Sequence, residues 1–210
     1  MKLKLVVLFL ALLQVSFVGV AQDSTEQEMQ TLFGEDEITY GGYGGVRIAY
    51  SQFNGNDAWL VGGRGGVIFN STFIVGGGGY GIVNSPSFSN VNGNDMVYLE
   101  GGYGGMFFEY IFKPNKVVHL NFPVIIGAGG LLYSDVPVSS GGANFEDRII
   151  DNSAFFVLEP GVEVELNVVK FMRVAAGVSY RYANGLNLVD TPSSAFNSLT
   201  GSVTFKFGKF

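Results

Sequence analysis

Seven charged residues recur at spacings that would put them on one side of an extended chain. Glu159, Glu163 and Glu165 share parity with Gly161, Arg173 and Arg181 share parity with Ser179, and Arg47 and Arg64 hold comparable positions in two earlier segments. Residues two apart in a strand point to one face, so acids and bases from different strands could meet across a closed sheet as an ion-paired interior. The same residues, with Glu100 and Lys206, could instead line a narrow channel. Eight strands enclose a space just wide enough for side chains to fill, so the expected result is a salt-bridged plug.

Other chemistry is sparse. His119 is the sole histidine; a general base needs a partner within hydrogen-bonding reach, and its place beside a tight turn predicts an interfacial or lumenal hydrogen-bonding role. The glycine pairs at 41–45, 62–66, 76–79, 101–105 and 129–130 are not followed by the helix and Lys-Ser/Thr of a phosphate-binding loop. They read as glycine permitting coil, bulges and tight interior packing in a small barrel. The Asn-Gly-Asn-Asp runs at 54–57 and 92–95 carry turn chemistry, with too few oxygen ligands for a calcium loop. With no cysteine there is neither a disulfide nor a thiolate metal site. No catalytic residue, metal or cofactor is expected.

The elements that must position these residues are eight alternating segments: 38–51, 58–70, 73–84, 96–112, 117–133, 154–166, 171–182 and 199–210. Connections after the second, fourth and sixth are tight, whereas those after the third, fifth and seventh are long and rich in Ser, Asn, Gly and Pro. An even number of segments with short turns at one end and long loops at the other predicts an all-β, eight-stranded antiparallel up-and-down transmembrane β-barrel. Each segment meets the roughly 9 to 11 residues that a tilted membrane strand requires.

The faces support that reading. Phe156, Leu158, Pro160, Val162, Val164 and Leu166 oppose the three glutamates, and Val174, Ala176, Val178, Tyr180 and Tyr182 oppose Arg173 and Arg181. Aromatics such as Tyr40, Tyr50, Trp59, Phe112, Phe171 and Tyr182 fall near segment ends, as interfacial girdles would. A soluble sandwich also alternates, but the mixture of both charge signs on the polar faces suits a closed interior better. Three features are irregular. Pro123 and Pro160 each delete a ladder donor and are expected at a bulge or strand break; Glu109 is out of phase with Glu100, which implies a bulge in the fourth segment; and the third segment has no clear alternation.

Residues 1–21 have the grammar of a secretory signal: Lys2 and Lys4, an apolar run from Leu5 to Leu13, then small residues at Gly19 and Ala21. Residues 22–37 form an acidic N-terminal tail with six acids, no base and an expected short helix around Gln27 to Phe33. The tail is read as solvated, with docking to a partner or plugging of the lumen as alternatives. The barrel takes 38–210. With 14% charged residues, a mean hydropathy of +0.29 and a formal charge of −6, the chain is a poor nucleic-acid partner.

The signal, the eight segments, the alternating connections and the terminal Phe210 together resemble the small eight-stranded outer-membrane barrel family of Gram-negative bacteria. The glycine-rich strands and the ending Phe205-Lys206-Phe207-Gly208-Lys209-Phe210 resemble Bacteroidota versions within that porin superfamily. The resemblance implies outer-membrane lipid as surroundings and recognition of the last strand by the barrel-assembly machinery, with Phe205, Phe207 and Phe210 as the signal. Phe210 departs from the pattern by being out of phase with Phe207 and Phe205. The implied location is the outer membrane, short turns periplasmic and long loops extracellular. The implied role is structural, surface-interacting or accessory to an envelope complex, other envelope proteins being candidate partners. A narrow pore or hydrophobic-ligand conduit and a lipid-modifying enzyme are the alternatives.

Overall fold

The computed structural model describes residues 38–137 and 148–210. The expected signal segment, the acidic tail and its helix lie outside the described residues. The strands are β1 (Tyr40–Phe53), β2 (Asn56–Phe69), β3 (Phe73–Ile82), β4 (Ser87–Val91), β5 (Asn94–Phe112), β6 (Val118–Ser134), β7 (Ile149–Val169), β8 (Met172–Asn184) and β9 (Ser198–Lys209). Every pairing is antiparallel. Neighbours pair in sequence from β1 to β3, then β3 to β5, β5 to β9 in order, and β9 back to β1, which closes a ring of eight. Closure leaves the ring without an open edge.

β4 stands outside the ring. It pairs with β5 from Ser87 opposite Tyr98 to Val91 opposite Asn94, above the stretch of β5 that faces β3. The polar loop read between the third and fourth segments is therefore largely a β-hairpin, turned by Asn92 (φ 51°) and Gly93 (φ 76°). Asn54 (φ 47°) and Gly55 (φ 82°) turn β1 into β2 in the same way. Positive φ at both central residues matches the right-handed twist of the flanking strands.

The ring has two unlike ends. At the turn end β2 meets β3, β5 meets β6 and β7 meets β8 through short connections; at the mouth lie the β4–β5 hairpin, the β8–β9 loop, the end of β6 and the start of β7. Inward positions include Arg47 and Ala49 of β1, Leu60 and Arg64 of β2, Ile74 and Tyr80 of β3, and Phe107 and Glu109 of β5, all buried. β3 alternates after all: Ile74, Tyr80 and Ile82 face in, Phe73 and Val75 face out, and the glycines between them had hidden the period.

The bulge expected in the fourth segment is absent, and the two prolines fall at ladder breaks, not bulges. β5 keeps one register against β6 from Tyr98 to Phe112; Glu109 and Glu100 differ in phase because they face opposite sides. Glu109 lies in the lumen, whereas Glu100 accepts a 2.6 Å bond from Ser85 Oγ in the link between β3 and β4. Pro123 and Pro160 cause gaps without a register change. The β6–β7 ladder lapses between Asn121 and Val124, the β7–β8 ladder between Leu158 and Gly161, and each resumes in step. Consecutive strand residues aim their N–H groups at opposite neighbours, so each proline sacrifices one bond, Pro123 toward β7 and Pro160 toward β8. The register shifts that do occur lie at Tyr133/Ser134 and Asn167/Val169.

Candidate functional site: the filled lumen

Inward-facing charges pack in layers from the turn end upward. Glu165 is the lowest hub, and β7 places its carboxylate where four neighbours converge. Arg173 Nη1 of β8 (3.1 Å), Lys206 Nζ of β9 (2.5 Å) and Asn121 Nδ2 of β6 (2.7 Å) all reach it. His119 Nε2 lies 3.0 Å from the same carboxylate while Nδ1 lies 3.1 Å from the Lys116 carbonyl, so the imidazole bridges β6–β7 contacts to the turn.

Lys206 also reaches Glu109 at 2.5 Å, which carries the network to the next layer. There Arg64 Nη2 of β2 sits 2.5 Å from Glu163 and 3.5 Å from Glu109. Higher still, Arg47 Nη2 bonds Glu159 at 2.9 Å and Ser179 Oγ at 3.1 Å, and Glu159 also receives Ser179 Oγ (2.7 Å) and the Tyr103 hydroxyl. Aromatic faces cover the cations: Arg47 over Tyr80, Arg64 over Phe107, and Arg173 over Phe210 at 4.0 Å. Desolvating charges this deeply is costly, and the cost is offset when each carboxylate gains several charge-assisted hydrogen bonds.

Arg181 is held differently. Its Nη2 donates to Ser51 Oγ (2.7 Å), its Nε donates to the Phe196 carbonyl (3.0 Å), and its guanidinium covers the Phe196 ring. Above this arginine the lumen becomes apolar. Phe196 comes from the β8–β9 loop and meets Phe53, Tyr103 and Phe155 with ring centroids 5.4 to 5.9 Å apart. Phe88 of β4 packs on Phe53 and Tyr133, and Leu186, Leu188 and Ala195 complete the plug.

Backbone tethers hold that loop down. Asn54 N donates to the Ala195 carbonyl (2.9 Å), and Asn92 N at the hairpin tip donates to Asp190 Oδ2 (2.9 Å). Val189 N donates to Asp151 Oδ2 (2.7 Å).

The seven residues singled out by spacing thus occupy one lumen, in three clusters: Arg47 with Glu159, Arg64 with Glu163, and Arg173 with Glu165, Arg181 standing above them. Glu109, Asn121 and Tyr103 belong to the network and were not picked out. The parity of Glu109 with Phe107 and Ile111 was the available signal, lost because it was compared with Glu100. Nothing in the sequence marks Phe196 as an inserted side chain. Phe205 and Phe207 face outward and Phe210 inward, stacked on Tyr43. Among the described residues no group of three or more His, Cys, Asp or Glu could hold a metal ion.

No family model matches the chain, and no curated protein matches it. Among solved structures it is similar to Neisserial surface protein A (16% identity over 83% of this chain and 100% of that one, TM-score 0.49). It is also similar to Ail, the attachment invasion locus protein of Yersinia pestis (14% identity, 80% and 95%, TM-score 0.44). A third similar structure is the outer membrane protein OprG of Pseudomonas aeruginosa (10% identity, 80% and 92%, TM-score 0.31). The eight-stranded up-and-down ring itself rests on its own hydrogen-bonded registers.

Proposed function

We propose that the chain is a non-catalytic integral outer-membrane barrel of a Gram-negative, Bacteroidota-type envelope, acting through its mouth loops or as an accessory part of an envelope complex. The observation that carries this is the distribution of charge across the wall. On the outward positions of the eight ring strands, charges occur at the rims, Asp57 and Lys209, and at Glu100, whose carboxylate is bonded by Ser85. Between the rims the outward face is Val, Ile, Leu, Phe, Met, Ala, Gly and Pro160, with Val46, Val61, Val164, Val178 and Phe205 among its exposed residues. A continuous apolar band of that kind is rare on soluble monomers, and it suits hydrocarbon, which tolerates only closed sheets and helices.

The turn end faces the periplasm in this reading and the mouth faces outward. Lys113, Lys116, Lys170 and Lys209 gather at the turn end, while Asp57, Asp95, Asp135, Asp151 and Asp190 gather toward the mouth. The filled lumen favours a structural role over a pore. His119, bound at the turn end to Lys116 and Glu165, favours a bridge over a catalytic base. Outer-membrane lipid and, during biogenesis, the barrel-assembly machinery reading Phe205, Phe207 and Phe210 are the partners this reading carries.

Purification from membranes in mild detergent tests it. The barrel should remain with the membrane fraction, migrate faster on a gel unboiled than boiled, and retain any complex partner for identification. A mature chain that stays soluble and monomeric without detergent would overturn the reading.

A further inference from the structure

A groove of about 390 Å3 interrupts the outward surface over β9 and β1. Its floor is Gly201, opposite Tyr50 of β1 on one side and Val178 of β8 on the other. A Cβ at Gly201 would meet nothing within 4 Å. One absent side chain among tall neighbours leaves a slot a single residue wide, walled by Ile48, Tyr50, Trp59, Val203 and Phe205. Tyr50 and Trp59 are cross-strand partners in an edge-to-face contact at 5.4 Å, and the Tyr50 hydroxyl is turned away toward Asp57 (2.6 Å).

We propose that this groove seats one acyl chain of a lipid from the leaflet at the mouth end, held in preference to the boundary lipid on the rest of the wall. The inference rests on the membrane reading above. Apart from Ser202 the lining is apolar or aromatic and it carries no charged side chain, so dispersion is chiefly what it offers. A protein partner does not fit: a slot of this size supplies far less than the roughly 800 Å2 per partner of a stable interface. A single flexible chain does fit, because it can lie on the Gly201 floor between the β1–β2 side chains Ile48, Tyr50 and Trp59 and the β9 side chains Val203 and Phe205. The walls stand on paired strands and need no ordering on binding, which removes one cost of association.

Trp59 makes the site observable, since it is the only tryptophan in the chain and lines the groove. The folded full chain, held in detergent micelles, is titrated with phosphatidylcholine carrying brominated acyl chains while Trp59 fluorescence is followed. A seated chain gives saturable quenching that levels near one lipid per barrel. Gly201→Leu should weaken that phase at least about fivefold, and Gly201→Ala, whose single methyl enters open space, should weaken it less. Gly44→Leu, at another outward glycine with open surroundings, should leave it intact. Folding of each variant is checked by boil-dependent gel mobility, and a retained lipid is counted by native mass spectrometry.

Quenching that follows overall micelle composition in the natural chain, or that is unchanged by both Gly201 substitutions, overturns the groove. Failure of the membrane reading looks different: the folded barrel would neither enter phosphatidylcholine vesicles nor be quenched by fully brominated ones.

Discussion

The guanidinium carbon of Arg181 lies 3.6 Å from the centre of the Phe196 ring, while its Nε donates to the carbonyl of that same residue. One arginine therefore grips an inserted loop by both its side chain and its backbone, at the level where the lumen changes from ionic to apolar. Phe196 is fully buried and borders three other rings. Phe196→Ala should cost about 3 to 5 kcal/mol, through lost transfer energy and the cavity left behind. Denaturant titration of the folded barrel in micelles measures this, and Phe196→Leu should cost clearly less.

The ionic layers beneath the plug are filled as well. Single-channel recording on the natural barrel should show no ion current, and Phe196→Ala alone should not create one. A steady conductance from a verified folded barrel would contradict the filled lumen.

Glu165 is the most heavily used carboxylate, shared by Arg173, Lys206, Asn121 and His119. Glu165→Gln takes the carboxylate from buried Arg173 and leaves Lys206 with Glu109 alone, and should destabilise by about 3 to 5 kcal/mol. Combined with Lys206→Met, which removes one of those cations, the loss should be smaller than the sum of the single losses. A double-mutant cycle in denaturant reads the coupling.

Two glycines make opposite predictions. A Cβ on Gly76 would run into the Gly65 carbonyl oxygen and Gly66 Cα across the β2–β3 pair, whereas one on Gly44 meets nothing. Gly76→Ala should cost roughly 1 to 3 kcal/mol by overpacking. Gly44→Ala should be neutral or stabilise by up to about 1 kcal/mol, because the unfolded chain loses freedom. The same unfolding titration separates them.

Pro160 leaves the β7–β8 ladder one bond short, in step on both sides of the gap. Pro160→Ala supplies an N–H aimed at β8. Hydrogen exchange should show a slow amide at 160, with a net stability change within about 1 kcal/mol, since the new bond is set against greater freedom of the unfolded chain.

Much of the wall could be read in the sequence, because strand parity is a local property and the lipid-facing and lumen-facing sets differ in polarity. The Glu159, Glu163 and Glu165 series illustrates this, as do the tight turns at Asn54-Gly55 and Asn92-Gly93. What escaped detection depends on long-range placement. β4 was hidden in a polar loop because its pairing partner is a protruding length of β5. The prolines were expected at a bulge or a strand break, and which of the two could not be read because a single chain does not reveal that the neighbours stay aligned across the gap. Which arginine meets which glutamate follows from ring closure and stagger, and Phe196 enters from a loop whose composition looks ordinary.

The pairing of β9 with β1 is as regular as any hairpin pairing: from Gly42 opposite Lys209 to Tyr50 opposite Gly201 it holds one register with no covalent link between the two strands. The ring therefore has no privileged starting strand. A short linker joining Phe210, whose ring must stay stacked on Tyr43, to Tyr40 at the turn end, with the chain reopened at the exposed Asn54-Gly55 turn, should yield a circular permutant with the same lumen. Exposed turns of this kind are where such rearrangements succeed.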